Sequence, residues 1–351
     1  MQPVGGRQVL LVRDNRGEQL TARRKAALRI NLRELVMQVV SGRVTNAVGR
    51  PNPYRIGNDG VPRILPGPGG IVVSHRIGDS CVGLAGDHVE PGAAIRNDER
   101  GFVGAADGPN LSLMTSACVG NVARIAGGPC RGAKGLVTGK HGGVNHVLVD
   151  FDRRSLFNLN IGDPIQIYAY GLGLRLPDSP DIAVTNCAPG LLRRWRPTWR
   201  SGALEVRVTH IMPAAIIGSG LGQYNVCRSD FDIELFDPRV RRRFGLHALR
   251  FGDLVCVRDG DSRFGFSWRS GRVTIGVVAH SDSTVSGHGP GIVALLTGSA
   301  LRIRPIIDSR ANLAALYARR PLSPPLSRVP LAGRDLRRAT FQREPDEYQM
   351  L

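Results

Sequence analysis

Three stretches place imidazoles close to carboxylates. In Gly86 to Gly92, GDHVEPG, Asp87, His88 and Glu90 fall within four positions, closed by Pro91 and Gly92. In Gly139 to Phe151, GKHGGVNHVLVDF, a glycine-punctuated turn carrying His141 precedes a β-branched run holding His146 and Asp150. In Ala279 to Gly291, AHSDSTVSGHGPG, His280 and Asp282 precede His288, which sits among Gly287, Gly289, Pro290 and Gly291. Side chains two and four apart share one face of a strand. His146 with Asp150, His280 with Asp282, and His88 with Glu90 therefore pair up on strand faces. Imidazole nitrogen and carboxylate oxygen converging at turns are the donors a divalent metal or an acid/base pair requires. Asp87, His88, His146 and Asp150 are the expected metal ligands. Glu90, His141, His280 and Asp282 are the expected catalytic groups, with Glu90 or Asp282 as general base. Lys140, Arg272 and His288 are the expected substrate contacts, Lys140 or Arg272 taking an anionic group. The bland alternative is a polar turn or a histidine satisfied by its own carboxylate.

Other chemistries fit poorly. Gly135-x-x-x-Gly139-Lys140 is one residue short of a phosphate-binding loop and lacks its Ser/Thr. No nucleophile elbow surrounds Ser283 or Ser219. Asp259-Gly260-Asp261 lacks the glycine and glutamate offsets of a calcium loop. His75, His210 and His247 stand alone and read as ordinary core or surface histidines.

The elements that must position these groups are short strands. After a polar, arginine-rich arm (residues 1–30), apolar residues at helical spacing predict an amphipathic helix over Arg23 to Val40. Proline-rich loops follow to Gly70. Runs at Ile71–Ser74, Cys81–Leu84, Leu111–Met114, Val122–Ala126, Leu136–Thr138, Val144–Phe151 and Ile165–Ala169 read as strands separated by glycine and proline. Leu174 to Arg200, with four prolines and two exposed-looking tryptophans, reads as a linker. A second series covers Ala203–Ile211, Phe231–Leu235, Asp253–Arg258, Arg272–His280 and Gly291–Thr297. The expected fold is mainly β: two antiparallel barrel- or sandwich-like domains (residues 31–185 and 186–318) with a few short helices. A Pro/Arg-rich tail (319–351) reads as extended or disordered.

The chain of 351 residues is 42% hydrophobic, enough for two cored domains. No apolar run reaches the roughly 20 residues a spanning helix needs, no signal peptide is read at the N-terminus, and a membrane partner is not expected. Six cysteines are scattered with no C-x-x-C pair, so a reduced, cytoplasmic setting is expected. The net charge of +18 comes from arginines spread along the chain, and only 5% of residues are aromatic. A nucleic-acid binder concentrates charge on one face and interleaves aromatics, so specific nucleic-acid binding is not expected. A chain of this size and class is expected to form a homo-oligomer.

The segments VPRILPGPGGI, GDHVEPG, VTGKHGGVNHVLVDF, IIGSGLG, LRFGDLV and VTIGVVAHSDSTVSGHGPG together resemble a prokaryotic family known only as a domain of unknown function, in N-terminal and C-terminal parts. The likeness runs from about Leu35 to Leu316 and implies a two-part, mainly β fold without an assigned activity. Gly86 to Gly92 is also similar to a turn of the acetamidase/formamidase family, all-β amidohydrolases. The expectation is a metal-assisted hydrolase or cyclase acting on a small amide, lactam or lactone, its divalent ion held where the halves meet. The alternative is a non-enzymatic small-molecule binding protein.

Overall fold

The computed structural model describes residues 28–49, 51–100, 107–221, 225–320 and 322. The fold is mainly β with five short α-helices among the described residues. Most of the arm and of the tail lies outside the described residues.

Six strands close into an antiparallel barrel. Around it run Gln38–Val44, Pro164–Ala169, Val122–Ile125, Lys134–His141, His146–Asp150 and Gly92–Arg96, which returns to the first. Closure removes the sheet edges that would otherwise expose unpaired backbone groups. The core is filled by inward β-branched and small residues such as Val137, Val147, Val149, Ile165 and Ile167.

The second half is built on a mixed sheet. Its path runs through Ala183–Val184, Gly291–Ser299, Ser267–Val278, Leu254–Asp261 and His210–Pro213, with Phe231–Asp232 paired against Gly291–Ser299. Two pairings are parallel: His210–Pro213 on Leu254–Asp261, and Ala203–Val208 on Ile303–Ile307.

The hairpin Lys134–His141/His146–Asp150 is buried on both faces, which explains its nearly unbroken apolar run. Val137, Val147 and Val149 face the barrel core. Leu136 and Leu148 join Leu254, Ile275, Val277 and Val293 of the second sheet in a shared core. Each such aliphatic side chain removed from water contributes roughly 1.5–3 kcal/mol. Gly139 permits the close approach, because a Cβ there would stand 2.6 Å from the Ala279 Cβ.

Several local expectations are corrected. Leu28 to Val40 is not a helix: a 3-10 turn at Leu32–Glu34 leads into the strand Gln38–Val44, where Val40, Gly42 and Val44 alternate inward. Residues 23–27 of that segment lie outside the described residues. Leu111–Met114 belongs to the helix Gly108–Ser116, entered through Pro109 in its first turn. Cys81–Leu84 is irregular. The segment 174–200 is no linker, since Leu174, Leu176, Ile182, Leu191, Leu192 and Trp195 all lie in the shared core. Trp195 is buried and its indole N–H donates to the Arg207 carbonyl at 2.7 Å.

Candidate functional site

Four imidazoles meet at the seam between the halves. His88 lies in the loop before Gly92–Arg96, and His141 ends the strand Lys134–His141. His280 follows the strand Ser267–Val278, and His288 lies in the loop before Gly291–Ser299. The ring centres of His141 and His280 are 4.3 Å apart, those of His88 and His280 5.0 Å, and those of His88 and His288 5.0 Å.

Three of the rings are oriented by a bond to Nδ1, so that Nε2 is left for the centre. His88 Nδ1 donates to Asp87 Oδ1 at 2.9 Å, and His141 Nδ1 donates to Glu90 Oε1 at 2.6 Å. His280 Nδ1 donates to the Ser281 carbonyl at 3.0 Å. An acceptor on the outer nitrogen fixes tautomer and direction, the arrangement found behind metal-ligating histidines. His88 adopts a left-handed backbone, φ +55°. That costs a non-glycine residue roughly 1–3 kcal/mol and is held by surrounding bonds. Those bonds include His88 N–H to the Asp282 carbonyl and Asp87 N–H to the Pro66 carbonyl.

Two aspartates complete the centre. Asp230 and Asp232 flank Phe231 at the two-residue strand Phe231–Asp232, whose register sets Asp232 against Gly291. Asp230 Oδ2 lies 2.7 Å from His280 Nε2, and its Oδ1 accepts the Gly142 N–H. Asp232 Oδ2 lies 3.1 Å from His288 Nδ1 and 3.4 Å from His88 Nε2. Its Oδ1 lies 3.5 Å from His280 Nε2. Gly291 leaves the room for this: a Cβ there would fall 2.1 Å from His280 Nε2 and 2.4 Å from Asp230 Oδ2.

The electrostatics are those of ionised carboxylates among imidazoles. Burial pushes Asp87, Glu90, Asp230 and Asp232 upward, and their histidine partners outweigh it, holding all four below the usual carboxylate range. Burial likewise opposes charge on His88, yet the hydrogen bonds it donates to Asp232 and Asp87 raise it to about 9. His280 is raised too, with Asp230 overcoming its burial. A cation entering the cluster would replace those protons. His288 is the half-exposed member and marks the mouth; the other three are buried.

The expected site residues separate into three groups. His88, His141, His280 and His288 converge. Asp87, Glu90 and His146 stand behind them: the Asp87 carboxylate is taken by His88, by the Ser283 hydroxyl at 2.6 Å and by Arg55. Glu90, fully buried, accepts from His141, from His146 at 2.9 Å and from the Gly69 N–H. Asp87, Glu90 and His146 thus lie behind the four converging rings, their polar atoms engaged with one another, with His88 and His141, and with neighbouring groups. Asp282 also stands behind the rings. Its carboxylate accepts the Gly83 N–H and its backbone brackets His88, which places it under the loop.

Lys140, Arg272 and Asp150 do not join the four imidazoles. The Lys140 ammonium is fully buried, donates to Asn186 Oδ1 at 2.7 Å and the Cys227 carbonyl at 2.6 Å, and falls to about 8 through burial. It ties the hairpin to the loop that leads into Asp230. Arg272 lies six residues before the end of its strand, about 20 Å down it at the usual rise, paired with Asp261 and lining a separate cleft of about 380 Å³ with Arg258 and Arg304. Asp150 ends its strand opposite His146 and is clamped by Arg76 at 2.8 Å and Arg319 at 3.1 Å.

Sequence reasoning missed Asp230 and Asp232. Their signal was there: two carboxylates at alternate positions entering a strand, Asp230-Phe231-Asp232. The hydroxyl of Ser283 donates to a carboxylate rather than to an imidazole, so no nucleophilic triad forms around it.

Fold and centre together define a class: a two-part, mainly β protein whose seam gathers histidines and aspartates from both parts. Residues 54–193 match the family model described as domain of unknown function (DUF4438), N-terminal, and residues 194–317 match its C-terminal counterpart. The chain belongs to this family. His88 and His141 come from the first matched region, and Asp230, Asp232, His280 and His288 from the second. The crystal structure of TM1086 is similar, with 39% sequence identity and a TM-score of 0.77, over 82% of this chain and 99% of that one. No curated protein matches, and the amidohydrolase likeness rests on Gly86 to Gly92 alone. Among the described residues no helix is long and apolar enough to cross a membrane.

Proposed function

We propose that the chain is a metal-assisted hydrolase or cyclase acting on a small amide, lactam or lactone. One observation carries the reading. Three buried imidazoles have their outer nitrogen tied to Asp87, Glu90 or a carbonyl, and their inner nitrogen turned toward shared carboxylates. A purely structural histidine needs one partner; four rings and two ionised aspartates around one point are a donor set. A divalent ion held there would polarise a carbonyl and lower the pKa of a bound water. The protein's own part is to fix the ligands, to exclude bulk water and to admit substrate past His288. Hydrolysis then adds the water oxygen to the carbonyl carbon, breaks the C–N or C–O bond, and returns a proton to the departing atom. The positive substrate anchor expected from Lys140 or Arg272 is dropped, and a small uncharged carbonyl compound fits better.

The test is turnover of a panel of N-acyl amides, lactams and lactones by the purified chain, with and without EDTA. Hydrolysis that is lost on chelation and restored by a divalent ion is the expected result. Saturable ligand binding with metal-independent affinity and no turnover would instead favour the small-molecule binding protein. A cytoplasmic, homo-oligomeric protein without specific nucleic-acid partners remains part of the same proposal.

A further inference from the structure

We infer that the centre holds two divalent cations, bridged by the two oxygens of Asp232. The inference rests on the metal reading of the site and goes beyond it in number and in the role of one residue. The donors divide into two sets, His88–Asp232–His288 and His141–Asp230–His280, each with its ligand atoms within 4.8 Å of one another. In the first set the edges are 3.2 Å (His88 Nε2 to His288 Nδ1), 3.1 Å (His288 Nδ1 to Asp232 Oδ2) and 3.4 Å (His88 Nε2 to Asp232 Oδ2). Ligands about 2.0–2.2 Å from one tetrahedral ion stand about 3.3–3.5 Å apart, so this triad is already close to a coordination triangle.

The second set lies on the other side of the same carboxylate. Asp232 Oδ2 faces His88 and His288, while Oδ1 lies 3.5 Å from His280 Nε2, which also meets Asp230 Oδ2 at 2.7 Å. A carboxylate with one oxygen toward each ligand set is the geometry of a bridge, and paired sites hold their ions about 3.5–4 Å apart. Asp230 then serves one ion and Asp232 both.

Charge agrees. Asp87, Glu90, Asp230 and Asp232 bring four carboxylates to the cluster, and the nearest guanidinium on them is Arg55, 3.5 Å from Asp87. Neutral imidazoles contribute nothing and Arg55 offsets one carboxylate, so the remaining three carry more negative charge than one divalent ion cancels, and uncompensated buried charge is costly. The ion between His88, His288 and Asp232 would have three protein ligands and so an open position, the mark of a reactive rather than a structural site, while the second would have four.

The experiment loads the full chain with Mn²⁺ alone, removes free metal and measures bound metal per chain by elemental analysis, with electron paramagnetic resonance on the same sample. Two ions per chain with a spin-coupled spectrum are expected. His288→Ala should leave one ion and an uncoupled spectrum, and His288→Gln serves if the alanine variant unfolds in a thermal melt. One ion per wild-type chain, unchanged in the folded His288 variant, overturns the pair while leaving a single-metal enzyme intact. No bound Mn²⁺, Zn²⁺ or Co²⁺ at all overturns the metal reading itself, and the pair with it.

Discussion

Two buried histidine–aspartate clusters occupy this molecule, and they have opposite electrostatics. At the seam, carboxylates are pulled down and His88 and His280 are raised, so charge is concentrated. Beside the strand Leu254–Asp261, His210 and Asp253 stand 3.9 Å apart, and both are driven toward neutrality. Burial lowers His210 to about 4 and raises Asp253 to about 7, even though Asn312 and the Arg250 N–H bond the carboxylate. The Asn312 amide also donates to the Phe251 carbonyl, and its own oxygen caps Ala314, so this cluster is a closed structural tie. The difference lies in number and direction. One imidazole beside one carboxylate discharges under burial; four imidazoles turned toward two carboxylates support charge.

Substitution breaks the comparison most severely. His141→Ala and His280→Ala should reduce turnover below detection with the fold retained, whereas His210→Gln should leave turnover intact, as kinetics beside circular dichroism will show. If both sets behave alike, the seam is structural.

Acid provides the next largest effect. Asp253 binds its proton in the folded state between 3.8 and about 7, where the unfolded chain does not, so its term stabilises the fold as pH falls through that window. His210 has the opposite sign: between 6.5 and about 4 the unfolded chain takes the proton first, and stability falls with pH. Relative to the parent, Asp253→Asn should lose, and His210→Gln should gain, about 3 kcal/mol of stability on going from pH 7 to 4. Denaturant melts at the two pH values measure the differences. Parallel curves would mean the two groups do not titrate as their burial dictates.

The smallest effect sharpens the contrast. Glu90→Gln keeps the shape behind His141 and His146 but removes the charge that strengthens His141 as a donor. Metal affinity should weaken about 10–100-fold with the ligands untouched, read by competition with a chromogenic chelator. An unchanged affinity would demote Glu90 to packing.

The fold class was legible because strand periodicity and glycine-proline punctuation are local. The three imidazole stretches were legible for the same reason: residue type and spacing survive without coordinates. One failure was local: Leu111–Met114 was read as a strand although Pro109 opens a helix there. The others depended on partners far along the chain, as Trp195 looked exposed until the shared core covered it. Lys140 looked available because a lysine in a glycine-rich stretch usually is, and only the loop at Cys227 shows its ammonium consumed. Asp230-Phe231-Asp232 carried no histidine and so drew no notice, although it supplies both carboxylates of the centre.

The sequence alone determined the two-part β architecture and which imidazoles are candidates, since apolar alternation and backbone-permissive turns are written into neighbouring residues. Tertiary structure decided which carboxylates reach the centre of the imidazole cluster and which stand behind it. That choice turns on distances of about 3 Å between residues up to 200 positions apart, such as His88 and His288, and no local pattern encodes such a distance.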